Sequence, residues 1–283
     1  MSLQQKTLTG VLWTFLSSIG SKASTLIIGI ILARLLTPED FGLVAMLYIF
    51  FELSKTFIDS GFSQALIRES KISETDKSTA FFINVIVSII CYTALWFCAP
   101  FISEFYDQPE LVGLTRLMGV SVLLQAVTLI QNAEFNQSLR FKELSLINVI
   151  ANIVAGILAI VLALLDYGVW SLAIKYISIN AITTLILWFL NPWSPKYFIN
   201  SNSFTKLFGF GSKLLISGLI NRIYSNLYKI IIGKVFTAST LGFYTQGQLL
   251  VDNATKGIIL PIQQVTYPAL SKAKDDPSKL RYA

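Results

Sequence analysis

Eight stretches of this sequence, roughly 10–33, 41–66, 79–102, 111–133, 144–165, 168–190, 210–236 and 241–268, stay mostly apolar for twenty residues or more. A span of the hydrocarbon layer takes about 20 such residues. Lipid offers no partner to a backbone N–H or C=O, so each run must close its hydrogen bonds within itself. The pattern therefore predicts an all-α, polytopic membrane bundle of about eight transmembrane helices. Charged residues make up 13% of the 283 and hydrophobic residues 54%, with a mean hydropathy of +0.64. A soluble domain carries about 25% charge, twice what is present. The connections are short and punctuated, as at Thr37-Pro38-Glu39-Asp40, Asp107-Gln108-Pro109-Glu110, Asp166-Tyr167-Gly168 and Asn191-Pro192-Trp193. None is long or polar enough to be a soluble domain. The first run does not read as a cleaved leader, because Lys22 interrupts it and no small-residue cleavage site follows.

The net charge of +6 would suit nucleic acid, but loop asymmetry accounts for it. With the N-terminus in the cytoplasm, thirteen basic residues fall on that side: Lys6, Arg68, Lys71, Lys77, Arg140, Lys142, Lys196, Lys206, Lys213, Lys272, Lys274, Lys279 and Arg281. Only Arg34, Arg116 and Lys234 fall on the other, beside Glu104, Asp107, Glu110 and Asp166. Positive loops stay inside, so no nucleic-acid partner is called for. Histidine is absent, which removes the commonest metal ligand and general base. Cys91 and Cys98 share one run, about 10 Å apart along a helix of 1.5 Å rise, too far for a disulfide.

The chain begins again after residue 200. Ile31-Leu32-Ala33-Arg34-Leu35-Leu36-Thr37 leads into Phe41-Gly42, and Ile231-Ile232-Gly233-Lys234-Val235-Phe236-Thr237 leads into Leu241-Gly242. The polar positions keep that register: Lys22 with Arg222, Glu52 with Asp252, Gln64 with Gln264. Two hundred residues hold six spans, an even number, so both copies enter from the same side as parallel repeats. The expected organisation is a six-helix transmembrane lobe over 1–200, with 201–283 as the first two helices of a second lobe. On this reading the sequence is a shortened version of a chain with at least twelve spans.

Charges inside spans are rare, cost at least ~2.5 kcal/mol each, and face bundle interiors or hydrated cavities. Six are basic: Lys22, Lys55, Lys175, Arg222, Lys229 and Lys256; three are acidic: Glu52, Asp59 and Asp252. Thr14, Ser18, Lys22, Thr25 and Gly29 form one helix face, repeated as Gly218, Arg222, Ser225, Lys229 and Gly233. Tyr48, Glu52, Lys55 and Asp59 form another, echoed by Gln248, Asp252 and Lys256. The Ser, Thr and Gly positions read as close helix packing. For the acids two readings stay open: internal pairs such as Glu52–Lys55 and Lys55–Asp59, or coupling-ion binding. The cations outnumber the acids by three, and an uncompensated charge in low dielectric needs an anion or water. The expectation is a hydrated cationic cavity for an anionic substrate, with Lys22 and Arg222 as phosphate contacts. Lys175 and Lys229 lie nearer the outer leaflet, where snorkelling is the alternative.

Leu35-Leu36-Thr37-Pro38-Glu39-Asp40-Phe41-Gly42, Ile58-Asp59-Ser60-Gly61-Phe62, Ala65-Leu66-Ile67, Leu260-Pro261 and Tyr267-Pro268-Ala269-Leu270-Ser271 resemble the polysaccharide transport family. These are Wzx-type O-antigen, exopolysaccharide and teichuronic-acid flippases within the multidrug/oligosaccharidyl-lipid/polysaccharide exporter superfamily. The resemblance implies two helical lobes of twelve or fourteen spans, alternating access and a bacterial inner-membrane location. It also implies an undecaprenyl-pyrophosphate-linked oligosaccharide as substrate and contact with membrane lipid. Contact with polysaccharide polymerase or chain-length machinery would fit such a pathway. No bound cofactor is implied, and Na+ or H+ coupling is left open.

Three other functions compete. A cation-coupled multidrug exporter of the same fold favours acidic cavities, whereas this interior is net basic. A peptidoglycan lipid precursor flippase also wants a cationic cavity and differs only in local motifs. A membrane enzyme would bring a large loop or an acidic metal-binding domain, and the chain shows neither, so a non-enzymatic function is expected.

Overall fold

The computed structural model describes residues 23–59, 62–68, 73–138 and 140–252. Within them lie α1 (Ala23–Leu35), α2 (Pro38–Asp59), α3 (Phe62–Arg68), α4 (Glu74–Tyr106), α5 (Leu111–Ala126), α6 (Leu129–Gln137), α7 (Phe141–Leu164), α8 (Val169–Leu190), α9 (Ser201–Val235) and α10 (238–252). The described residues contain no strand. The chain is an all-α bundle, as the apolar runs require. Among the described residues four helices (α2, α4, α7 and α8) are long and apolar enough to span a membrane, and α5 with α6 makes a fifth if a 46° bend is allowed.

Local chemistry sets the helix starts. At α2, Thr37 Oγ1 accepts from the Asp40 N–H (3.3 Å), and Asp40 Oδ2 accepts from the Thr37 N–H (2.8 Å) and hydroxyl (2.7 Å). That reciprocal cap, with Pro38 at the first helical position, satisfies orphan donors. At α4, Ser73 Oγ accepts from the Asp76 N–H. At α9, Asn200 Oδ1 accepts from Asn202 and Ser203, which is why this helix begins nine residues before the apolar run suggests. With 35 residues, α9 is about 50 Å long at 1.5 Å per residue.

One expected span bends, and another is described in two pieces. Of the run 41–66, α2 is described to Asp59 and the short α3 from Phe62. Asp59 Oδ1 accepts from the Ser63 N–H in the first turn of α3 at 3.2 Å. The run 111–133 bends at Val127-Thr128, where the Thr128 hydroxyl takes the Gln125 carbonyl. From α8, the Thr184 hydroxyl (3.3 Å) and the Trp188 indole N–H (3.1 Å) donate to the Leu124 and Val127 carbonyls. A broken helix at membrane depth needs such partners.

The helices pack chiefly as α4 on α5, α7 on α8, α2 on α9 and α5 on α8. Ala151, Ala155, Ala159 and Ala163, one per turn of α7, are all buried, a small-residue face that lets helices approach. The outer surfaces of α4 and α8 are greasy: Phe97, Phe101, Leu185 and Phe189 are each about 70% exposed or more. Phenylalanines so bare belong in lipid.

The connections sort to two ends in the order the spans demand. At one end a Cβ on Gly168 would lie 3.4 Å from Asp40 Oδ1, and Lys234 Nζ is 3.4 Å from Asp107 Oδ2. At the other, Lys77 pairs with Glu74 (2.8 Å) and Glu134 (2.7 Å), Asn191 donates to Glu134, and the Trp193 indole donates to Glu74. Basic residues crowd this second end.

The 200-residue period is visible in the backbone. Helices end at Leu35 and Val235, and the next ones start at Pro38 and Ala238. At the second junction the Thr240 N–H donates to Thr237 Oγ1 and the two hydroxyls share a hydrogen bond. The two junctions touch reciprocally. A Cβ on Gly42 would sit 1.8 Å from the Ala238 carbonyl oxygen, and one on Gly242 would sit 1.7 Å from that of Pro38. Equivalent residues exchanging equivalent contacts define a local pseudo-two-fold axis between α2 and α10.

Candidate functional site

Two of the charged positions, Glu52 and Arg222, meet along the seam where α2 meets α9. From the crossing at Gly42 and Gly242 the helices run side by side. The α9 stripe Gly218, Arg222, Gly233 is turned into that seam. A Cβ on Gly233 would lie 3.0 Å from Tyr106 and 3.2 Å from Met46, and one on Gly218 would lie 3.0 Å from Thr56. Between these glycines Arg222 Nη1 meets Glu52 Oε2 at 2.8 Å. The pair joins the two sequence repeats midway along α2 and α9. It stays partly open, the Arg222 side chain 46% exposed and that of Glu52 24%.

That pair corrects two expectations. Glu52 does not bond within its helix to Lys55: its carboxylate reaches across the seam, where a guanidinium offers a planar donor fork. Arg222 is not an uncompensated cation in this conformation. Lys55 is exposed and has no hydrogen-bond or ion-pair partner among the described residues. Lys229, one turn beyond Asn226, is half-buried and donates to Asn226 Oδ1 at 3.3 Å. Asp59 is the helix-start acceptor described above, and Asp252 is half-buried at the end of the described α10. Lys22 and Lys256 lie outside the described residues.

Lys175 is elsewhere. It lines a cavity of about 260 Å³ enclosed by α1, α2, α7, α8 and α10, with Tyr48, Tyr176, Asn152, Thr245 and Gln246 around it. Lys175 is half-buried and its side chain lines this half-open cavity. Tyr48 and Tyr176 meet edge to face at 5.9 Å, and Tyr176 also packs on Phe51. The Thr25 and Gly29 part of the first stripe lines the same cavity. Sequence reasoning missed Asn152, Tyr176, Thr245 and Gln246. The one available signal was an Asn or a Tyr inside otherwise apolar runs, and without the packing that signal does not say which face is inward.

A second cavity of about 450 Å³ lies at the basic end, lined by Lys77, Glu134, Arg140 and Asn191 among others. Arg140 stacks on Phe135 and is ion-paired with Glu143. The segment after α8 is stitched to α4 there: Lys196 and Tyr197 N–H groups donate to Ser78 Oγ, and Asn200 N–H donates to Thr79 Oγ1. Among the described residues no group of three His, Cys, Asp or Glu side chains is placed to share a metal.

Against known proteins, a family model described as polysaccharide biosynthesis protein matches residues 31–283. The teichuronic acid biosynthesis protein TuaB of Bacillus subtilis is 25% identical over 99% of the chain and 58% of its own length. The lipopolysaccharide biosynthesis protein WzxC of Escherichia coli is 23% identical over 99% of the chain and 58% of its own. The succinoglycan biosynthesis transport protein ExoT of Rhizobium meliloti is 22% identical over 97% and 56%. The chain thus spans under three-fifths of the length of these curated relatives. In fold it is similar to a multidrug resistance MATE family transporter of the MOP superfamily solved in an inward-facing conformation. That match has a TM-score of 0.62 and 15% identity, and it covers 99% of this chain and 65% of that one.

Proposed function

The chain belongs to the polysaccharide biosynthesis protein family and is a multi-pass membrane protein of MATE-like fold, and on that premise we propose that it acts in flipping a lipid-linked, pyrophosphate-bearing oligosaccharide across the bacterial inner membrane. The substrate class is an undecaprenyl-pyrophosphate-linked repeat unit, moved from the cytoplasmic to the outer leaflet by alternating access. Residues 1–200 act as one lobe and 201–283 as the start of a second, related by the parallel repeat. The protein makes and breaks no covalent bond in its cargo.

The Glu52–Arg222 pair across the repeats carries this reading. An ion pair held half-open at membrane depth is poor as a stabiliser but suits exchange of one anion for another. In the resting state Glu52 is the counter-ion of Arg222. An entering pyrophosphate displaces it, because a dianionic, multidentate phosphate satisfies a guanidinium fork better than one carboxylate does. Exposed Lys55 and half-buried Lys229 lie on the same two helices and add positive charge. Released Glu52 takes up a proton or Na+, and the seam opens about the Gly42/Gly242 crossing. Lys22 and Lys256, on the repeat-related faces, are proposed to serve the same cavity, with Asp59 and Asp252 as further coupling-ion candidates. The polyprenyl tail stays in lipid.

The test is export in a strain lacking its own O-antigen flippase, with the chain expressed in its natural reading frame. Surface polysaccharide should return with wild type and be lost with Arg222→Ala and with Lys22→Ala at unchanged membrane abundance. Normal export from both variants would sink the reading. The MATE-like fold keeps a second reading in view, cation-coupled drug export, and a drug-efflux assay in the same strains separates the two.

A further inference from the structure

The half-open cavity at the basic end lies apart from the seam, since neither Glu52 nor Arg222 lines it. Its place along the helices fixes its depth. The lining draws on Lys77 at the start of α4, on Arg140 just before α7 and on Asn191 just after α8. All three helices are long and apolar enough to cross a membrane. The cavity therefore sits where three spans leave the hydrocarbon layer, at the level of lipid headgroups. Its floor is apolar, because Phe135 is fully buried in a cluster with Ile147 of α7 and Leu187 of α8. Bare apolar side chains reach the same level: Phe189 and Leu190 precede Asn191, and both are exposed. At about 450 Å³ the space falls within the ~300–1,000 Å³ of ordinary small-ligand sites.

The charges in the lining are mixed, and that narrows the ligand. Lys77 holds Glu74 at 2.8 Å and Glu134 at 2.7 Å, while Asn191 donates to the other Glu134 oxygen. Arg140 is engaged with Glu143 through Nε and Nη2. An ammonium carries three N–H groups and a guanidinium five. Among the described residues these contacts leave Lys77 one N–H and Arg140 its Nη1 group, and the Ser138 hydroxyl lines the same space. Phosphate oxygens suit those donors. A purely anionic ligand, however, must also meet the Glu134 carboxylate, which lines the cavity and is partly open. A zwitterion uses both signs: its anion takes Arg140 and Lys77, and its cation takes a free lone pair of Glu134.

We propose that this cavity binds an ethanolamine phospholipid of the surrounding bilayer, with the phosphodiester on Arg140 and Lys77 and the primary ammonium on Glu134. The acyl chains lie along the bare apolar side chains at the end of α8. A choline headgroup has no N–H to give Glu134, so the site tells the two zwitterions apart. Bound there, the lipid ties together the ends of α4, α6, α7 and α8. The site does not depend on which cargo the protein moves.

Native mass spectrometry of the detergent-purified chain tests it, with phosphatidylethanolamine, phosphatidylcholine and phosphatidylglycerol of matched acyl chains added in equal amounts. The ethanolamine lipid should dominate the bound fraction. Arg140→Gln should weaken its binding about tenfold, the worth of one charge-assisted hydrogen bond. Glu134→Gln should bring the ethanolamine lipid down to the level of the choline lipid. Because that change also takes a partner from Lys77, melting curves accompany it, and Arg140→Gln decides the matter if Glu134→Gln does not fold. Lys206→Gln, at the same end but outside the lining, should bind like wild type. A bound fraction dominated by phosphatidylglycerol, or shared equally by the ethanolamine and choline lipids, would overturn the proposal. So would an Arg140→Gln protein that binds like wild type, a folded Glu134→Gln protein that keeps the preference, or an equal loss in Lys206→Gln. Soluble glycerophosphoethanolamine binding as tightly as the lipid would overturn the bilayer as source. No readout here depends on export, so the flippase reading stands or falls separately.

Discussion

At the crossing of α2 and α10, Gly42 and Gly242 bring backbone onto backbone, each facing the carbonyl of the other repeat's first helical residue. Ten residues along α2, about 15 Å deeper at 1.5 Å per residue, the repeats also meet through the side chains of Glu52 and Arg222, half-open at 2.8 Å. The first contact has no room for a side chain; the second is two long side chains reaching across a gap. A close-packed backbone contact is rigid because nothing in it can change rotamer. A pair of extended charged side chains can part without disturbing either helix. The seam therefore has a fixed end and a yielding one.

The largest effect should come from filling the fixed end. Gly42→Val or Gly242→Val drives side-chain atoms into a backbone carbonyl, at a cost of about 3 kcal/mol, the upper end of ordinary overpacking. Thermal unfolding of the detergent-purified protein should show a clear drop in Tm for both. Gly247→Ala, where nothing lies within 4 Å, is the silent control. An unshifted Tm for the two valine variants would mean that the crossing is not as tight as described.

At the yielding end the expected loss is smaller. Glu52→Arg or Arg222→Glu alone should destabilise by about 1–2 kcal/mol, discounted because the pair is half in contact with solvent. The double exchange should recover most of that. If the two single effects simply add in the double variant, the side chains do not interact.

The caps beside the crossing differ in chemistry, and that difference is measurable. Thr37→Ala removes a hydroxyl shared with the Asp40 carboxylate and should cost about 1 kcal/mol. Thr237→Ala, whose hydroxyl meets the N–H and the uncharged hydroxyl of Thr240, should cost about half as much. Equal shifts in Tm would show that Asp40 adds nothing to the first cap.

Smallest of all should be Lys234→Ala. Its contact with Asp107 is long and both side chains are well exposed, 43% and 84%, so the change should stay within about 0.5 kcal/mol. A larger drop would assign that end of α9 a structural weight the geometry does not give it.

The sequence by itself determined the fold class, the alternation of connections between two ends and the 200-residue period. Each follows from a local rule: lipid demands internally bonded helices, basic loops stay on one side, and turn signals such as Thr37-Pro38-Glu39-Asp40 recur at Thr237. It also picked out Glu52, Arg222 and Lys175 as charges that must face something other than lipid. Only the tertiary structure decided what each one faces. Glu52 at helical spacing from Lys55 looks like half of an internal pair, and α9 brings a better partner from 170 residues away. Asp59 reads as an ion site or half of a pair, and its carboxylate also accepts from the Ser63 N–H in the first turn of α3. Lys175 and Arg222 look alike as buried cations, and packing sends one into a tyrosine-lined cavity and the other onto a carboxylate. Spacing along one helix fixes which residues share a face, but the neighbour that covers the face is set by long-range packing. A charge takes its role from that neighbour.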